Sequence, residues 1–122
     1  MILRIWRAKI NPARLEVYRR FELERCLPML HRQPGFLGVL LLREANGRAA
    51  SLTIWEDRGA VEALESSPSY RRTVRELAES DLLAGGQSVE ILEAAGGALR
   101  PEPLTSALRP TDIRSSSREA TT

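Results

Sequence analysis

The dipeptide Asn46-Gly47 stands between two apolar-rich stretches, Phe36 to Glu44 and Arg48 to Glu56. Both central residues of a type I′ turn need positive φ, which Asn and Gly adopt most readily, so the pair is a strong β-hairpin signal. Two adjacent antiparallel strands are thereby fixed at the middle of the chain. Upstream, Ile2 to Ile10 is apolar with interspersed basic residues and reads as a strand. Asn11-Pro12 then offers a helix cap followed by Pro at the first helical position. That helix runs toward Leu30 with Leu15, Tyr18, Phe21, Cys26, Met29 and Leu30 on a broad apolar face. Pro28 is expected to kink its last turns, and Pro34-Gly35 ends it. Downstream, Asp57 caps a short helix through Leu64, and Ser67-Pro68 restarts helix with Tyr70, Val74, Leu77 and Ala78 on one face. Gly85-Gly86 is expected to break it, leaving Gln87 to Ala94 as the last strand. The order β-α-β-β-α-β predicts an α+β, ferredoxin-like fold with an antiparallel four-stranded sheet.

Periodic apolar patterning ends near Gly96-Gly97. Residues 1–96 read as the domain. Residues 97–122, with Pro101, Pro103, Pro110 and a Ser115-Ser116-Ser117 tract, read as a Pro/Ser/Thr-rich disordered tail with too few apolar residues for a core. Charge excludes little by itself: 18 basic against 16 acidic residues leave +2, too balanced to point to a polyanion. A single cysteine and a single histidine exclude a disulfide framework and any metal cage built from several Cys or His within one chain. The longest apolar run, Phe36 to Leu42, is seven residues, far below the roughly 20 that span a bilayer. Arg4, Arg7 and Lys9 interrupt the first apolar stretch, so it is not a signal-peptide core. The expectation is a cytoplasmic protein with no membrane partner.

The second strand carries apolar residues on both sides: Phe36, Leu40 and Leu42 in one set, Leu37, Val39 and Leu41 in the other. In this fold both helices cover one face of the sheet, so the second face needs another cover. A partner sheet supplies it, which predicts a homodimer joined sheet to sheet.

On the third strand Ser51, Thr53 and Trp55 alternate with Ala50, Leu52 and Ile54. The apolar set suits a sheet-to-sheet interface. The mixed set suits a cleft between sheet and helices, where an indole N–H and hydroxyls orient a flat organic ligand. Trp6, Tyr18, Phe21 and Tyr70 are placed to complete an aromatic lining; the alternative is a plain hydrophobic core. His31, at a helix end beside Arg32, reads as an exposed residue favoured by the helix dipole, and Cys26 as a small buried filler. RNA binding in the manner of an RRM needs exposed aromatics on the central strands, and Gly47-Arg48-Ala49-Ala50-Ser51-Leu52 has none. No phosphate-binding glycine loop or paired-carboxylate site is present in the sequence.

Three stretches resemble the antibiotic biosynthesis monooxygenase (ABM) family of dimeric α+β barrels: Pro34-Gly35-Phe36-Leu37-Gly38, Leu52-Thr53-Ile54-Trp55-Glu56-Asp57, and Ala60 to Tyr70 with its Ser67-Pro68-Ser69-Tyr70 restart. The resemblance implies a small cofactor-independent monooxygenase acting with O₂ on a quinol-like or polycyclic aromatic substrate. In such chemistry the ionised substrate supplies the electrons, and the protein desolvates and orients it. Trp55, Ser51 and Tyr70 are then the candidate catalytic residues, and Trp6, Tyr18, Phe21 and Thr53 the candidate substrate-binding ones, with no metal and no cofactor. The quinone-forming oxygenases of the family carry Asn where this chain has Ser51, while Trp55 is retained. The haem-degrading branch places Asn, Trp and His where this chain has Trp6, Leu64 and Val74, which argues against haem degradation.

Two alternatives accompany this reading: an isomerase or cyclase on the same barrel, and a non-catalytic ligand-binding or accessory protein. The tail also has two readings, an inert extension or a docking peptide built on Leu104-Thr105-Ser106-Ala107-Leu108-Arg109.

Overall fold

A computed structural model describes residues 1–108. The elements are β1 (Ile2–Ile10), a 3₁₀ turn (Pro12–Arg14), α1 (Leu15–Phe21), a π turn (Glu22–Cys26), α2 (Leu27–His31), β2 (Phe36–Arg43), β3 (Arg48–Trp55), α3 (Arg58–Ser66), α4 (Pro68–Glu79), β4 (Leu83–Glu93) and α5 (Pro101–Leu108). The four strands form one antiparallel sheet in the order β2-β3-β1-β4, the α+β ferredoxin-like arrangement expected from the sequence.

Local chemistry sets the element boundaries. Asn11, Asp57 and Ser67 each accept a hydrogen bond from a backbone N–H in the turn that follows, those of Ala13, Ala60 and Tyr70. Each satisfies a donor that a helix start leaves unpaired. Gly35 and Gly47 take φ of +79° and +84°, one ending the first helical layer and the other closing the β2–β3 hairpin.

The π turn is the first departure from expectation. The helix ahead of Pro28 is not regular: the Leu27 N–H reaches back five residues to the Glu22 carbonyl. A second departure lies on β2, where the register against β3 shifts between Phe36 and Gly38. The bulge brings Phe36 onto the side of Val39, and both pack against the core around Trp55. The sets therefore differ from strict alternation: Val39 and Leu41 pair with Thr53 and Ser51 on the helix side, and Leu40 and Leu42 pair with Leu52 and Ala50 on the other. Third, β4 begins at Leu83, and Gly85-Gly86 lie within it where its register against β1 shifts between Ala8 and Ile10. These glycines mark a bulge rather than the end of the helix.

Both helical layers cover one sheet face. One core cluster gathers Ile2, Met29, Leu30, Trp55, Ala60, Val61 and Leu64, and a second gathers Ala8, Ile10, Tyr18, Ala49, Leu77 and Leu82. Leu3, Ile5, Leu40, Leu42, Ala50, Leu52, Ile54 and Leu92 form the opposite face by register. Past β4, Pro101–Leu108 form a helix inside the stretch expected to be irregular, with Pro at its start and Glu102 in its first turn. No residue of α5 is buried. Residues 109–122, which include Arg109 of the docking segment, lie outside the described residues. No helix among the described residues is long and apolar enough to cross a membrane.

Candidate functional site

Between the sheet and the helices lies a cavity of about 80 Å³, walled by Trp6, Tyr18, Phe21 and Tyr70 with Met29, Leu30, Val74 and Leu77. Arg4, Ser51, Thr53, Thr73, Gln87 and Cys26 bring polar atoms to the same walls. The register explains the gathering. Arg4 pairs with Thr53 and Trp6 with Ser51, so four inward side chains of β1 and β3 sit side by side beneath the helices. Ser51, Tyr70, Trp6, Tyr18, Phe21 and Thr53, all proposed from the sequence, are thus brought to one cavity.

Trp55 is placed differently. It faces the helices as the strand pattern requires, but it is 0% exposed and lies in the core beside the cavity rather than on its wall. Its indole Nε1–H donates to Thr53 Oγ1 at 2.8 Å, and the Thr53 hydroxyl donates to the Arg4 carbonyl oxygen at 3.1 Å. The indole donor is therefore committed to the β1–β3 strand pair. Phe36 meets the Trp55 ring edge-on at 5.5 Å between centroids.

Arg4 is the residue that sequence reasoning missed. Its side chain is only 7% exposed. Nε donates to Glu65 Oε2 at 3.1 Å and Nη2 to the Tyr70 hydroxyl at 2.8 Å, with the guanidinium carbon 5.3 Å from the Tyr70 ring centre. The signal was present in the sequence: Ile2, Arg4, Trp6, Ala8 and Ile10 form one alternating set, so a strand whose apolar set faces inward carries Arg4 inward with it. Gln87 was also missed. Its Oε1 accepts from Trp6 Nε1 at 2.8 Å, a bond that bridges β1 and β4 at the solvent-exposed side of the cavity.

Behind the aromatic wall, the π turn buries Glu22 at 1% exposure, where its carboxylate forms an ion pair with Arg43. The Arg43 guanidinium carbon is 5.4 Å from the centre of the Tyr18 ring. Burial raises the Glu22 carboxyl above the usual carboxylate range, against the pull of Arg43. Burial also raises the Tyr18 hydroxyl, with the Glu22 charge adding to it. The Cys26 thiol is pushed up to about 12, first by burial and then by Glu22. Tyr18 and Cys26 are accordingly neutral donors at neutral pH. No Asp, Glu or His lines the cavity among the described residues. His31 is exposed at the end of α2, its ring 5.2 Å from that of Phe36. No cluster of three or more His, Cys, Asp or Glu side chains able to hold a metal ion occurs among the described residues.

No curated protein sequence matches the chain. Solved structures share the fold, three of them as follows. Rv0793 from Mycobacterium tuberculosis is 20% identical over 80% of this chain and 98% of its own, with a TM-score of 0.67. The NE2512 protein of unknown function from Nitrosomonas europaea is 16% identical over 81% of this chain and 93% of its own, with a TM-score of 0.67. A mutant of SnoaB, a cofactor-independent oxygenase from Streptomyces nogalater, is 18% identical over 81% of this chain and 97% of its own, with a TM-score of 0.66. At these identities the likeness concerns the fold alone. The sequence model for antibiotic biosynthesis monooxygenases matches residues 1–76, which span three of the four strands, α3 and most of α4 and supply nearly every cavity wall; the chain belongs to that family.

Proposed function

We propose that this protein is a cofactor-independent oxygenase of quinol-like or polycyclic aromatic substrates, working as a homodimer. The observation that carries the reading is the cavity: aromatic walls from both layers, interrupted by a few inward polar groups, in a chain of the monooxygenase family. Such a substrate supplies its own electrons. When a ring CH₂ becomes C=O, O₂ accepts four electrons, one oxygen atom enters the product and the other leaves as water. What the protein contributes is desolvation, orientation and stabilisation of the ionised substrate.

The chain's residues divide these tasks. Trp6, Tyr18, Phe21 and Tyr70 stack on or edge against the flat ring system, and Ser51 offers a hydroxyl to one of its oxygens. Thr53 and Trp55 act from beneath as positioning residues, because their hydrogen bonds hold the strand that carries Arg4. The cavity holds about 80 Å³ and is partly open to solvent; this is below the ~150 Å³ of a benzene-binding protein cavity, so fused rings enter as the Trp6–Gln87 bridge parts and widens the exposed side.

The test is oxygen uptake with a panel of hydroquinones and anthrones, with product identified by mass. Uptake well above the spontaneous rate, with one oxygen atom in the product, is expected. Uptake no faster than autoxidation across the panel would overturn the oxygenase reading, and saturable binding without uptake would assign the cleft to the non-catalytic ligand-binding alternative.

A further inference from the structure

We propose that the Arg4 guanidinium and the Tyr70 hydroxyl form the anion-receiving end of the cavity, so that the site selects an ionised phenol, enol or aryl carboxylate over its neutral form. The inference deepens the oxygenase reading by assigning the residues that meet the substrate's charged oxygen. Its test is independent of turnover.

A guanidinium has five N–H donors and no acceptor. On Arg4, Nε is used by Glu65 and one hydrogen of Nη2 by Tyr70, and Nη1 has no partner among the described residues. The side chain is 7% exposed and lies on the cavity wall. Glu65 already pairs with Arg4, and the remaining guanidinium N–H groups, none of them a fully buried orphan, are left beside an apolar cavity for an acceptor bearing negative charge. Tyr70 completes the geometry. Because its oxygen accepts from Arg4, its own proton is left to point elsewhere, and the ring lines the same cavity. A ligand oxygen there receives an N–H and an O–H together. Glu65 does not cancel the effect: its side chain is 42% exposed, so water screens its charge, whereas a ligand inside the cavity is screened far less. No Asp, Glu or His stands on the described walls, and the buried Glu22 lies behind Tyr18, paired with Arg43.

The experiment uses two ligands of equal size, 4-nitrophenol, which ionises within the working pH range, and 4-nitroaniline, which forms no anion there. Binding to the full chain is measured by calorimetry under anaerobic conditions, and the phenolate absorbance band reports the ionisation of the bound phenol. The phenolate is expected to bind at least tenfold more tightly than 4-nitroaniline, and the bound phenol to ionise at least one pH unit below the free one. Arg4→Gln should remove this shift, Arg4→Lys should keep part of it, and Tyr70→Phe should reduce it. Glu65→Gln should enlarge it. Thermal melts identify any variant that fails to fold, and the wild-type ligand comparison stands without them. Equal affinities, an upward shift on binding, or binding of neither compound would overturn the proposal. Oxygen uptake that fails while the phenolate preference persists would instead count against the oxygenase reading.

Discussion

A single hydrogen bond decides what Trp55 does. Its indole donor ends on Thr53 Oγ1, whose own proton goes to the Arg4 carbonyl, so the three groups form one chain through the middle of the sheet. Trp55→Phe removes the donor, leaves part of the Trp volume empty, and strips a buried hydroxyl of its partner, a loss of about 2 kcal/mol. Thr53→Val breaks the same chain at its centre. Because the two share one interaction, the double variant should cost about 0.5–1.5 kcal/mol less than the separate losses summed; urea denaturation of the four proteins measures this, and strict additivity would count against the chain. Glu22 gives a second expectation. Its carboxyl is raised in the folded state by burial, so its contribution to stability is fully present below the unfolded value, near 4, and is lost as pH rises through the folded value. Gln does not titrate. Between pH 4 and 7 the wild type should therefore lose melting temperature relative to Glu22→Gln, and a difference that stayed constant over this range would refute the raised carboxyl.

Elements were legible where their signals are local. Asn11, Asp57 and Ser67 cap helices because a short side-chain oxygen needs only the following turn to find an N–H. Asn46-Gly47 marks the hairpin, but its loop is three residues, Ala45 to Gly47, with the Gly47 N–H donating to the Glu44 carbonyl and Gly47 at positive φ, instead of the two-residue type I′ turn expected. The features that could not be read depend on distant partners. The π turn sets the helix against Arg43 through Glu22, twenty-one residues earlier in the chain. The bulge at Phe36–Gly38 places the Phe36 ring against Trp55, nineteen residues further along the chain. In the site the same division holds. The inward set of β3 followed from alternation, but that the Trp55 donor is spent internally while Arg4 supplies donors to the cavity is a matter of packing between β1, β3, α3 and α4. Gly35 tests such packing at the level of the turn. It has φ +79°, and a Cβ there would lie 2.5 Å from Ala60 Cβ on α3. Gly47 has φ +84° with nothing within 4 Å. Gly47→Ala should cost about 1–2 kcal/mol, from backbone strain alone. Gly35→Ala adds a collision between a turn and a helix and should cost about 1–3 kcal/mol more. Equal losses in denaturant melts would show that α3 yields without resistance.

At the scale of the molecule, the question is what covers the rest of the sheet. The helices cover the inward residues of β1, β2 and β3, burying most of those on β1 and β3 and partly burying those on β2, but stop short of β4, where Val89 and Ile91 remain 46% and 40% exposed on the helix side. On the opposite face Leu3, Ile5, Leu40, Leu52 and Ile54 share a surface with Leu42 and Leu92, which are 39% and 46% exposed. Contiguous apolar area of this kind marks an association surface. The proposed homodimer places a second sheet over it, and light scattering should give a mass of twice 13.6 kDa. Two substitutions separate assembly from folding. Leu52→Glu puts a carboxylate on the open face beside Leu40 and Ile5. In a lone chain that position is partly exposed, so the charge reaches water and costs about 1 kcal/mol, whereas between two sheets it is buried without a partner and should split the dimer. Val39→Glu puts the same charge on the helix side, against the cluster around Trp55, and should damage the fold by several kcal/mol whatever the oligomeric state. The expected pair of results is a folded monomer at micromolar concentration for Leu52→Glu and a largely unfolded chain for Val39→Glu. A Leu52→Glu protein that stayed dimeric with an unchanged melt would remove the open face from the interface and leave the exposed edge at β4 as the surface through which two copies meet.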